Sequence, residues 1–313
     1  MAHILVTGAA GFIGSHTTDL LLGAGHRVTG VDDFRTGRRA NLAAAFAHPG
    51  FSFEETNVAE PGALSGIVAG ATPEAIIHLA ALVSVQESIA NPELNYALNV
   101  HATHLVAEAA RGHGVSRIVF ASSAAIYGDN TDLPLREDAA KRPISPYGAA
   151  KLASETLLLG HGAAFGITVR CHRYFNVFGP RQDPASPYSG VISIFERCHR
   201  EGRPVTIYGD GRQTRDFISV HDVARANLLA ATKPGISSGE ANICTGRGTS
   251  LLEICRVFGR HYPKAPQPVH AAGRPGDIAH SVGAPDGAEA AIGFRASVSV
   301  ADGLTELIRG DMA

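Results

Sequence analysis

The chain has 313 residues, 45% of them hydrophobic and 18% charged, which describes a folded, core-rich protein and excludes a disordered or fibrous one. Lys and Arg number 27 against 29 Asp and Glu, and the net charge of −2 gives no general attraction to nucleic acid or an anionic membrane. The four cysteines, Cys171, Cys198, Cys244 and Cys255, form no CxxC pair or short Cys/His cluster, so neither a zinc site nor a redox pair is expected.

At the N-terminus, Met1 to Thr7 lacks a basic segment and is too short an apolar run for a signal peptide. No later stretch approaches the ~18 apolar residues of a membrane span. A soluble, cytoplasmic protein with buried, reduced thiols is the expectation. Buried strands are predicted at His3–Thr7, Arg27–Asp32, Ala75–Leu79 and Arg117–Ser122, punctuated by Gly or Asp. Helical spacing lies between them, at Ser15–Gly23 and at Asn95–Gly112, where Leu98, Ala102, Leu105, Val106 and Ala109 recur at threes and fours. This alternation predicts an α/β fold: a doubly wound parallel sheet with helices on both faces and functional residues at the strands' carboxyl ends. After Cys171 the pattern weakens into turn-rich segments, predicting a smaller α+β C-terminal lobe with a hairpin or edge strand at Val205–Gly211.

Strand one runs into Thr7-Gly8-Ala9-Ala10-Gly11-Phe12-Ile13-Gly14. Gly8 permits the tight turn, Gly11 lets backbone approach a pyrophosphate, and Gly14 allows close helix–strand packing. Phe12 and Ile13 lie in this turn as further cofactor contacts, and the N-terminus of the helix that follows offers unpaired N–H groups and a positive dipole end to the phosphates. Asp32, 21 residues past Gly11 at the end of strand two, is placed to meet the adenosine ribose hydroxyls. A Rossmann-type, NAD-binding first domain follows. Arg35 close by leaves NADP open, and Asn57-Val58 is either an adenine contact or a simple strand end.

Strand four leads to Ser122-Ser123, and Tyr147 follows 24 residues past Ser123, on the helix that Ser145-Pro146 starts. Tyr147 and Lys151 are i and i+4 and share one helix face. An adjacent ammonium and an oxidised nicotinamide ring favour the phenolate of a Tyr whose ordinary pKa is near 10. Ser123 is suited to hold a substrate alcohol against that Tyr. His101 and His104 are one turn apart, but no carboxylate or third His lies at ligand spacing, so packed or solvated histidines are expected.

Together with His78-Leu79-Ala80-Ala81 and Ile126-Tyr127-Gly128, these motifs resemble the extended short-chain dehydrogenase/reductases, and within them the NAD-dependent sugar-nucleotide epimerase/dehydratases. The resemblance continues through Arg173–Gln182, Gly209–Phe217 and Arg274-Pro275-Gly276-Asp277. It implies residues 1–171, with 214–245 returning, as the NAD domain, and 172–213 with 246–313 as a UDP-sugar lobe. It implies Leu79, Ala80, Ala81, Asn99 and Tyr174 as further cofactor contacts. Asn176, Arg215, Arg274 and Asp277 would contact the UDP part, with Ser84, Ser123, Val191, Ile192 and Tyr208 also in the substrate site. Phe217 or Tyr208 stacks on uracil or belongs to the core. Ser281, four residues past Asp277, would be the size gate beside the sugar's C2.

Departures narrow the activity. Ala124-Ala125 stands where the family's dehydratases and decarboxylases carry acids, and Asn176 stands where glucuronate epimerases carry Thr. The resemblance therefore implies a UDP-hexose 4-epimerase, a homodimer through the helices at Asn95–Gly112 and Pro146–Gly160, accepting the N-acetylated pair through the small Ser281. The alternatives are an NAD(P)-dependent nucleotide-sugar reductase or dehydrogenase, a UDP-glucuronate 4-epimerase, and a non-catalytic NAD sensor.

Overall fold

The computed structural model describes residues 1–183, 190–273 and 278–310. In chain order the first half runs β1 His3–Thr7, α1 Phe12–Gly23, β2 Arg27–Asp32, α2 Ala43–Phe46, β3 Phe51–Glu55, α3 Ala63–Ala71 and β4 Ala75–His78. It continues with α4 Val85–Ala90, α5 Pro92–Asn95, a π-helical stretch Tyr96–His101, α6 Ala102–Gly112, β5 Arg117–Ser123, α7 Pro146–Phe165 and β6 Thr168–Tyr174. The second half holds β7 Asn176–Phe178, α8 Val191–Arg200, β8 Thr206–Tyr208, β9 Thr214–Arg215, β10 Phe217–Ser219, α9 Val220–Thr232 and β11 Gly239–Ile243. It ends with β12 Thr249–Ser250, α10 Leu251–His261, β13 Val269–Ala271, β14 His280–Ser281, α11 Asp286–Ile292 and α12 Val300–Gly310.

Seven strands pair in parallel in the order β11-β6-β5-β4-β1-β2-β3. Strand alternation sends neighbours to opposite faces, so both faces must be covered by helices. Ile4 and Val6 pack with Leu21 of α1 and Val223, Ala226 and Ala230 of α9. Leu5, Ile76 and Ile118 pack on the other face with Val106 of α6 and Leu158 of α7. The order reverses between β4 and β1, and the crevice outside the carboxyl ends opens there.

A third core joins α8, α10 and α12 through Phe195, Ile254, Phe258 and Leu304, with Phe217 buried among them. The segment at Val205–Gly211 is an edge strand and not a hairpin: β8 pairs in parallel with β13, and the Gly209 amide donates to Ala271 O. The strand predicted to reach Leu79 stops at His78, because the Leu79 amide turns back to Thr7. The helix predicted over Asn95–Gly112 begins at Pro92 and is widened by its π-helical stretch. There Asn95 donates to Pro146 O and Asn99 to Leu82 O, tying the widened turn to its neighbours. Among the described residues no helix is long and apolar enough to cross a membrane.

Candidate functional site

A cleft of about 1030 Å³ lies over the carboxyl ends of β1, β2, β4 and β5. The glycine loop forms one wall. Gly8 has φ +70°, and a Cβ there would meet the Ala80 amide nitrogen at 2.7 Å; a Cβ on Gly14 would overlap the Gly8 carbonyl. Only glycine lets the β4 loop, the turn and α1 approach so closely. Gly11 caps α1 in extended conformation with no side-chain cap, so no side chain occupies the helix's positive end. This cradle fits a dinucleotide pyrophosphate.

Gly8, Gly11, Phe12, Ile13, Gly14, Asp32, Asn57, Val58, Leu79, Ala80 and Ala81 all line the cleft, as do Ser84, Ser123, Tyr147, Lys151 and Tyr174. Asp32 is buried, and its carboxylate accepts the Ala10 amide at 2.9 Å and the Phe34 amide at 2.8 Å. Burial raises its pKa against those amide bonds. Asn57 Oδ1 accepts the Ala59 amide, so this side chain also ends its strand. Ser84 Oγ caps α4 by accepting the Glu87 amide. The Tyr174 hydroxyl points away from the cleft and donates to Asn227 Oδ1.

A hydrogen-bonded chain that the motif reading passed over fixes the loop after β4. Thr7 Oγ1 accepts the Leu79 and Ala80 amides at 3.2 Å and lies 2.8 Å from His78 Nδ1. His78 Nε2 is 3.2 Å from Thr103 Oγ1, which spends its own hydrogen on Asn99 O. The bonds are consistent only with His78 protonated on Nε2 and accepting from Thr7 at Nδ1. Asn99 lies deep in this chain with its Oδ1 unpaired, outside the cleft lining. The quoted run His78-Leu79-Ala80-Ala81 carried the signal, but nothing in it names Thr7 and Thr103 as partners.

The reactive side chains meet across the turn at residues 124–127. Ser145 caps α7 by accepting the Gly148 amide, and the Tyr147 amide donates to Ser88 Oγ on α4. A Cβ on Gly148 would lie 2.7 Å from Ala125 O, so glycine there lets the Tyr147 turn press against the Ser123 turn. Burial raises the pKa of the Tyr147 phenol above its ordinary value, with the Ser123 hydroxyl opposing. Lys151 is buried, donates to Ala121 O at 2.9 Å, and holds Nζ 5.8 Å from the Tyr147 ring centroid. Desolvation pulls the Lys151 pKa down to about 7, with Glu155 opposing. The expected ammonium effect on the phenol is therefore outweighed by burial in the protein itself.

Of the predicted substrate contacts, Ser84 and Ser123 line this cleft, whereas Asn176, Val191, Ile192, Tyr208, Arg215 and Ser281 are not among its lining residues. Arg215 on β9 is in register with Ser281 on β14 and with Thr249 on β12. Asn176 Nδ2 donates to Asp216 O. Val191 and Ile192 open α8, where Ile192 is buried in the third core and Val191 packs half-buried against it, so the Ile192 side chain is structural. Phe217 is core, whereas Tyr208 is 37% exposed at the end of β8. Arg274 and Asp277 lie outside the described residues. Asp216, missed between the quoted Arg215 and Phe217, is fully buried and binds the Thr245 amide and hydroxyl and the Gly246 and Gly283 amides. It fixes β9 and β10 to the loop after β11.

Burial also holds His16 down to about 4 and His78 and His172 down to about 3. The unfolded chain binds protons on these rings near pH 6.5 and the folded chain does not, so stability falls as pH drops below that value. Thermal unfolding between about pH 7.5 and 4.5 should show the midpoint declining from about pH 6.5 downward. A midpoint flat until the carboxylates titrate would contradict three buried neutral rings.

Comparison with known proteins follows the same geometry. A model of the "NAD dependent epimerase/dehydratase family" matches residues 4–244. The UDP-glucose 4-epimerase of Mycolicibacterium smegmatis is 36% identical over 305 residues, covering 97% of this chain and 96% of that protein. The structure of UDP-glucose 4-epimerase from Thermotoga maritima, with UDP-glucose, superposes with a TM-score of 0.92 at 35% identity over 99% of this chain and 100% of that one. UDP-N-acetylglucosamine 4-epimerase from Methanobrevibacter ruminantium, in complex with UDP-N-acetylmuramic acid, gives 0.94 at 32% identity over 99% and 98%. With the family match running from the first strand of the large sheet to its last, the chain belongs to the NAD dependent epimerase/dehydratase family.

Proposed function

We propose that the chain is a UDP-hexose 4-epimerase, inverting C4 through a transient 4-keto sugar and acting on UDP-GlcNAc/UDP-GalNAc as well as UDP-Glc/UDP-Gal. The observation that carries this reading is the placement of Ser123, Tyr147 and Lys151 in the lining of one cleft with the glycine cradle, with Ala124 and Ala125 where an eliminating enzyme needs acids. Relatives named UDP-glucose 4-epimerase and UDP-N-acetylglucosamine 4-epimerase support it.

The dinucleotide would rest on Gly8, Gly11 and Gly14, the first turn of α1, Asp32 and Lys151, and when bound it supplies a hydride acceptor that later returns the hydride. Tyr147 takes the proton of the C4 hydroxyl, and Ser123 holds that oxygen in line. Lys151 sets the charge beside the phenol. Once the keto sugar has turned its other face, Tyr147 gives the proton back to the same oxygen. Arg215, Arg274, Asp277, Asn176 and the backbone at Val191 and Ile192 are the proposed anchors of the UDP part, leaving the sugar free to rotate. Residues 1–171 with 214–245 serve the cofactor, and 172–213 with 246–313 the sugar nucleotide; β11 beside β6 in one sheet supports the return of the later segment, while β6 carries the first part on to Tyr174. The exposed sides of the π-helical stretch, α6 and α7, where Tyr96 and Phe165 stand out, support a homodimer. Four buried free thiols support a cytoplasmic setting.

The test is incubation with UDP-glucose, UDP-GlcNAc and UDP-glucuronate separately, without added cofactor, with products resolved by NMR. Interconversion of both hexose pairs is expected, and steady NADH consumption would transfer the reading to a reductase. Ser281→Tyr should then remove the acetylated activity and spare the glucose/galactose pair, because a filled pocket excludes the acetamide. Full retention of UDP-GlcNAc turnover in that variant would remove Ser281 as the gate.

A further inference from the structure

Among the described residues three arginines line the cleft, and each is matched with a carboxylate. Arg38 Nη2 lies 2.5 Å from Asp183 Oδ2, and Arg181 Nη2 lies 2.7 Å from Asp19 Oδ2. Arg35 pairs with Glu87, which reaches it from α4 on the other side of the crevice. Arg35 differs from the others in position. It stands three residues past Asp32, and its amide is held by Asp33 Oδ1 at 3.0 Å, so its side chain leaves the same lip as the carboxylate assigned to the adenosine ribose.

A guanidinium at that lip has the donor geometry and charge to bind a ribose 2′-phosphate. Asp32 opposes such a phosphate, but two of its acceptor positions are filled by the Ala10 and Phe34 amides, which spread its charge into the backbone. A free Arg35 beside so quenched a carboxylate would make the cleft tolerant of both dinucleotides. Glu87 removes that freedom. Its backbone is fixed in the first turn of α4 by the Ser84 cap, so the carboxylate is presented from a rigid anchor.

We infer that Glu87 is a specificity-determining residue for the dinucleotide, withholding Arg35 from a 2′-phosphate so that the cleft selects the unphosphorylated ribose. The inference rests on the reading that this cleft holds NAD. Selection here is a matter of denying the wrong ligand its cation, in addition to repelling it.

The experiment uses the purified protein equilibrated with excess NAD⁺ and NADP⁺ in equal amounts. Free nucleotide is removed, bound nucleotide is released by denaturation, and the two are quantified by chromatography. Wild type should carry NAD almost alone. Glu87→Gln should raise the bound NADP:NAD ratio about tenfold or more, the worth of one charge-assisted contact. Glu87→Gln combined with Arg35→Met should return the ratio to the wild-type value. An unchanged ratio in Glu87→Gln overturns the inference, and so does an equal rise in the double variant, which would reduce the effect to general charge. Loss of both nucleotides in equal proportion would make the pair a strap that retains cofactor without choosing it, which also overturns it. A wild-type protein that binds neither dinucleotide would overturn the cofactor reading first, and the total nucleotide content distinguishes that failure from the others.

Discussion

Tyr147→Phe retains less than about a hundredth of the wild-type epimerisation rate and nearly all of the bound dinucleotide, since loss of a general base costs roughly 10²–10⁴-fold. The ring stays where it is: the Tyr147 amide is held by Ser88 Oγ, and α7 is capped by Ser145, neither of which involves the phenol. The hydroxyl alone goes. Because burial raises the phenol's pKa, the rate of the wild-type enzyme should climb with pH through the acid range and stop climbing near pH 7, where Lys151, lowered by desolvation, loses its charge. Single-turnover rates and released nucleotide measured on the same preparation check both halves. A variant turning over at a tenth of wild type or better would remove Tyr147 as the base.

Arg173→Met is expected to destabilise the fold by about 3–5 kcal/mol, the cost of stranding a buried charge. Arg173 is fully buried, and its Nε and Nη2 meet Glu155 Oε1 and Oε2 at 3.0 and 2.9 Å. The remaining donors reach Tyr127 Oη, Glu137 O and Glu240 Oε1. Removing the guanidinium leaves Glu155 ionised in the core or forces it to take a proton. The midpoint of denaturant unfolding at constant slope gives the number. Arg173→Met with Glu155→Leu should recover a substantial share, because both charges leave together. If the double variant is as unstable as the single one, the cost lies in lost packing and not in a stranded carboxylate.

The large sheet was legible because its strands are short apolar runs that a parallel sheet buries on both faces. β1 and β2 fall on His3–Thr7 and Arg27–Asp32 as predicted, and β5 runs one residue past its predicted end. The glycine turn, Asp32, Ser123, Tyr147 and Lys151 were legible because their spacing is dictated by one turn and one helix. Asp216 and Arg173 were not. Both stood inside quoted motifs, but what makes them important is a set of partners 18 to 67 residues away, and no local period records such pairings. The same holds for Arg35, whose meaning changes entirely once Glu87, 52 residues later, is found beside it. The hairpin option at Val205–Gly211 failed for the reverse reason, since local alternation cannot say that the partner strand is Val269–Ala271.

The position of β11 bears on how the chain is made. Residues 239–243 form the outer strand beside β6, and α9, just before them, covers the face of the sheet that α1 packs on. Until the ribosome has released that strand, β6 presents an open parallel edge and part of the first core lies bare. Roughly the first 230 residues emerge before either is closed, at about 5–20 residues per second. β6 ends at Tyr174 and β11 at Ile243, so about 70 residues separate the two and the nascent chain spends roughly 3–15 seconds as a template for another chain's strand. Synthesis halted within that interval yields a product prone to aggregate, whereas a chain ending after Ile243 has its sheet complete. The last strand of the large sheet thus moves its open edge from β6 to the five-residue β11, just after α9 has completed the first core.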